Sequence, residues 1–69
     1  MSYTVNGERR TLQGSVSLES VLRQEGVNPE TASGVAVAVN DRVVRKASWP
    51  DATVQPGDRV EIVTARQGG

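Results

Sequence analysis

Between Val35 and Val39 the chain alternates valine with alanine, so a strand here carries three branched side chains on one face and two small, flat ones on the other. A strand with one bulky apolar face needs a layer laid against it. The chain offers one helical candidate, because Leu18, Val21 and Leu22 recur at the spacing of a single apolar stripe. One stripe covers one sheet face, which restricts the fold to a sheet with a helix across it. At 69 residues the chain has room for one small domain.

The other segments supply the rest of the sheet. Tyr3 and Val5 alternate with Ser2 and Thr4, and an extended pattern resumes from Arg9 to Leu12 after Asn6-Gly7. Asn-Gly between two such runs predicts a type I′ hairpin, since both residues tolerate positive φ. Gly14 and Ser15 end this hairpin. Ser17 is placed to cap a helix of about two turns with Glu19 in its first turn. Gly26 is placed to close it in the left-handed conformation, which lets Val27 fold back onto Leu22, and Asn28-Pro29 reinforces the stop. Asn40-Asp41 turns the valine-rich strand into Arg42, Val43 and Val44, a second hairpin. Lys46 to Pro50 reads as a short turn or 3₁₀ piece, with Trp49 laid as a lid over the edge of the core. Gln55-Pro56-Gly57-Asp58 suits a type II turn and launches a final strand of β-formers, Val60 to Thr64.

This order predicts an α+β fold, a mixed sheet of about four to five strands with one helix packed across one face. With the first and last strands as parallel neighbours at the centre, it is the β-grasp arrangement.

Composition narrows the function. Eight basic residues balance eight acidic ones, and one Trp, one Tyr and no Phe leave no stacking groove for nucleic acid. With neither Cys nor His, the chain lacks thiolate nucleophiles, disulfides and the usual ligands of zinc or iron–sulfur clusters, so no metal is expected. Its carboxylates are scattered among turns and helix ends and read as solvated surface charge. No apolar run approaches the eighteen or so residues of a membrane span and no signal segment follows Met1, so a cytoplasmic location is expected.

The feature that speaks about function lies at the end. The final strand stops after Ala65 and continues as Arg66, Gln67, Gly68 and Gly69, with nothing apolar to bury. A folded body over residues 1–65 and a flexible tail over 66–69 are expected. Four extended residues reach roughly 14 Å, enough to enter another protein's active site, and two glycines present no side chain to obstruct entry. Beside the tail, Val63 and Ala65 are apolar on the outer side of the last strand, and Ala36 and Ala38 form a flat outer face on the middle one. These four are the candidate partner-binding residues. Arg42, Arg45 and Lys46 form a basic cluster that either docks on an acidic partner or solvates its hairpin.

The segments VNGE, GVAVAVNDRVVRKASW and GDRVEIVTARQGG resemble the ThiS family of ubiquitin-like sulfur carriers over nearly the whole chain. Two turns depart from the family pattern: Asn40-Asp41 stands where Asn-Gly is usual, and no proline follows the second hairpin strand. The resemblance implies that the Gly69 carboxylate is adenylated by an E1-like adenylyltransferase of the ThiF type using ATP. It is then exchanged for a thiocarboxylate, with sulfur drawn indirectly from a desulfurase. A thiazole synthase of the ThiG type consumes that thiocarboxylate in making the thiazole of thiamine. A carboxylate with a pKa near 3.5 is ionised at neutral pH and resists nucleophilic attack until adenylation makes it electrophilic. The chain itself has nothing with which to do this. On this reading it is a monomeric cosubstrate rather than an enzyme, binds no cofactor of its own, and leaves the ATP to its partner. Carriers for molybdopterin synthesis or tRNA thiolation, a ubiquitin-like protein modifier, and an interaction module with an idle tail remain alternatives.

Overall fold

The computed structural model describes residues 1–65. Strands β1 (Ser2–Val5) and β2 (Glu8–Thr11) form the first hairpin, and Asn6 and Gly7 adopt φ of 50° and 84°, the signature of a type I′ turn. The short strand β3 (Val16–Ser17) leads directly into helix α1 (Leu18–Gln24). Ser17 caps the helix by accepting the Ser20 N–H on its hydroxyl at 3.1 Å. At the other end Gly26 sits at φ 88°, its N–H donates to Arg23 O, and the Val27 N–H reaches Leu22 O at 2.8 Å. This is the Schellman closure that Gly26 and Val27 predict.

Strand β4 (Val35–Val39) turns through Asn40 and Asp41, both at positive φ, into β5 (Arg42–Val44). A 3₁₀ helix, Lys46–Asp51, follows. Strand β6 (Thr53–Val54) precedes a turn in which Gly57 has φ 88° and the Asp58 N–H donates to Gln55 O, and β7 (Arg59–Thr64) completes the chain. β3 and β6 pair antiparallel in a small second sheet that the sequence does not announce, because two-residue strands have no periodicity to read.

The main sheet runs β2-β1-β7-β4-β5. β1 and β7 are parallel, joined at Thr4 and Arg59 and at Val5 and Val60, while the remaining pairs are antiparallel. The first and last strands therefore lie adjacent in the interior of the sheet, with the helix across one face: the β-grasp arrangement. The core joins Tyr3, Val5, Val37 and Val60 from the sheet to Leu18, Val21 and Leu22 from the helix, with Leu12, Trp49 and Val54 buried among them. Trp49 goes deeper than a lid on the core's edge. It is 2% exposed, and its indole N–H donates to Val44 O at 2.9 Å, which satisfies the polar group that burial would otherwise strand.

One reading of the charges is corrected. Glu25 is not a solvated surface carboxylate: it receives the Arg10 guanidinium at 2.9 Å and is mostly covered, tying the end of the helix to β2. Asp41 and Arg59 form an exposed pair at 3.0 Å, and the guanidinium holds the Asp41 carboxyl below its usual range. Among the described residues, no helix is long and apolar enough to cross a membrane.

Candidate functional site

The face of the sheet turned away from the helix is where the strand pattern leaves apolar groups in solvent. Along β7, Val60 and Ile62 point toward the core, which sends Glu61 and Val63 outward. On β4 the alternation sends Ala36 and Ala38 the same way. Register then assembles them: Ala36 lies beside Val63, and Ala38 lies between Glu61 on β7 and Val43 on β5. Because alanine is short, the middle of this face is low. Asn6, Ala36, Ala38, Val43, Glu61 and Val63 surround a depression of about 280 Å³.

Val43 and Val63 rise on either side of it with 76% and 64% of their surfaces exposed. Val43 is absent from the residues that the sequence picks out, although the two-residue turn at Asn40-Asp41 fixes Ala38 opposite Val43 and so carries the signal. Ala65 is exposed but does not line the depression; its N–H donates to Gly34 O at 2.6 Å and holds the end of the chain's last strand against the segment before β4. Of the basic cluster, Lys46 donates to Ala32 O at 2.6 Å, and Arg42 and Arg45 are exposed.

The turn between β4 and β5 holds the start of β7. The Asn40 side chain donates to Asp58 and accepts the Arg59 N–H at 2.9 Å, and the Asn40 N–H donates to Arg59 O at 2.8 Å. The Asn6 side chain grips the same strand further along, at Ile62. β7 is thus fixed at its start and at its middle, and its sequence continues into Arg66, Gln67, Gly68 and Gly69. Those four site residues, and their expected flexibility, lie outside the described residues. Among the described residues, no group of three or more acidic side chains is gathered to hold a metal ion. The chemistry available at this site is recognition: an apolar patch with a carboxylate and an amide at its rim, beside the strand that leads to the glycines.

The model of the ThiS family matches residues 3–69. A sulfur carrier protein ThiS from Thermus thermophilus is 40% identical over 65 residues, covering 94% of this chain and 95% of the relative. A thiazole synthase from Paramagnetospirillum magneticum is 36% identical over all 69 residues, and there the chain spans only 20% of the relative's length. Among solved structures, the crystal structure of a thiamine biosynthesis protein (ThiS) from Geobacter metallireducens superposes with a TM-score of 0.79 at 31% identity and complete coverage of both chains. A solution structure of a thiamine biosynthesis protein from the same organism gives 0.76 at 32% identity, covering all of this chain and 88% of that one.

Proposed function

From the premise that the chain belongs to the ThiS family, we propose that it carries sulfur for the thiazole of thiamine on the carboxyl group of Gly69. An E1-like adenylyltransferase spends ATP to convert that carboxylate into an acyl adenylate and releases pyrophosphate. A persulfide donor charged by a desulfurase attacks the acyl carbon, AMP leaves, and a thiol then cleaves the resulting acyl disulfide to leave the thiocarboxylate and a disulfide. A thiazole synthase then takes the sulfur. The carrier is a cytoplasmic cosubstrate in these steps, and the catalytic groups belong to its partners. Gly68, Gln67 and Arg66 thread into each active site, while Val63, Ala36 and Ala38, together with Ala65 and Val43, meet the partner's surface.

The observation that carries this reading is that Val63 of the apolar outer face lies on β7, only a few residues before the Gly-Gly sequence, so a partner holding the face is a short length of chain from the glycines. The thiazole synthase that contains a segment similar to this whole chain supports the choice of that enzyme as one partner. ATP–pyrophosphate exchange with the activating enzyme tests it. Gly68→Val should abolish exchange while leaving the fold intact, because a branched side chain adds bulk and restricts φ where a narrow channel approaches the backbone. Gln67→Ala should be mild. Near wild-type exchange by Gly68→Val contradicts a threaded tail.

A further inference from the structure

Backbone pairing between β1 and β7 ends early. The Asn6 N–H donates to Val60 O at 2.9 Å, and the chain then turns away through Gly7 into β2. The next rung is made by a side chain: Asn6 Nδ2 donates to Ile62 O at 3.1 Å, and Asn6 Oδ1 accepts the Ile62 N–H at 2.8 Å. The carboxamide takes the place of the residue that β1 lacks. Beyond Ile62, the strand pairing that holds β7 comes from the β4 side, through Val63 with Ala36, Thr64 with Val35, and the Ala65 N–H on Gly34 O.

We propose that Asn6 is a positioning residue that clamps the end of β7 into the sheet, so that the segment after Ala65 departs from a fixed point. Its functional arm rests on the carrier reading above. Without the clamp, the strand beyond Val60 is held from one side only and frays from its end. A partner must then reorder it on binding, which raises KM and leaves the chemistry of the bound complex unchanged.

Asn6→Gly is the test, because glycine keeps the positive φ that the turn requires and removes only the carboxamide. The decisive readout is amide exchange at Ala65, whose bond to Gly34 does not involve Asn6. Exchange there should quicken about tenfold, as expected for the loss of two hydrogen bonds, while Val37 and Val60 keep their wild-type rates. With the activating enzyme, KM should rise by a similar factor at constant kcat. Asn6→Asp keeps an acceptor for the Ile62 N–H and should fall between Asn6→Gly and wild type. Unchanged exchange at Ala65, or equal acceleration at Val37 and Val60, overturns the clamp. Faster exchange at Ala65 with an unchanged KM overturns its part in positioning. If wild-type protein is not adenylated, the carrier reading fails, and the exchange measurement still decides whether Asn6 clamps the strand.

Discussion

Val37 and Ala36 are neighbours with opposite fates. Val37 is 1% exposed, and Ala36 faces solvent. Val37→Ala removes two buried methyl groups and should cost about 1–3 kcal/mol, a large share of the stability of so small a domain. Ala36→Ser should change it by less than about 0.5 kcal/mol. Urea midpoints check both, and equal midpoints would mean that the faces are reversed. Tyr3 adds a pH dependence. Burial raises its phenol above the ordinary value of 10.0, so the folded state favours the neutral form. Below that value both states are neutral and nothing is lost. As pH climbs past it, the unfolded chain ionises first and stability falls until the folded phenol also titrates. Tyr3→Phe should flatten that alkaline decline in urea melts, and parallel declines would contradict the assignment. These inward residues were legible because strand alternation has only two faces to assign. Glu25 was not, since its partner Arg10 is fifteen residues away and nothing local marks the pair.

At the scale of elements, the turns carried most of the information. Asn6-Gly7, Gly26 and Gly57 each occupy a positive-φ position that their turn types demand. Asn40-Asp41 meets the same demand without glycine, helped by the Asn40 side chain's bonds to Asp58 and Arg59. Gly26→Ala should destabilise the protein by about 1 kcal/mol, because a β-carbon at φ 88° is strained even where nothing crowds it. A thermal or urea midpoint at or above wild type would contradict this. What the elements did not reveal was the β3–β6 pair, too short for any pattern, and the side-chain rung at Asn6, which backbone propensity cannot foresee.

At the scale of the molecule, the parallel pairing of β1 with β7 joins segments separated by most of the chain, and periodicity alone does not dictate it. Resemblance to a family supplied the strand order that the residues left open. The antiparallel pairings of β4 with β7 and with β5 assemble the outer face, Val63 on one side of Ala36 and Ala38 and Val43 on the other. Val63→Asp should fold normally, since Val63 is already in water, and should weaken binding to the thiazole synthase about tenfold or more by placing a charge within an apolar contact. Undiminished affinity in a titration would remove this face from the interface. Whether Gly69 carries sulfur is decided by intact-protein mass spectrometry of the chain purified from its host. The expected result is a species ending at Gly69 whose mass exceeds that of the free acid by the difference between one sulfur and one oxygen, and which loses that excess on hydrolysis. A chain found only as the free carboxylate when the activating enzyme, ATP and a sulfur source are all supplied would contradict it.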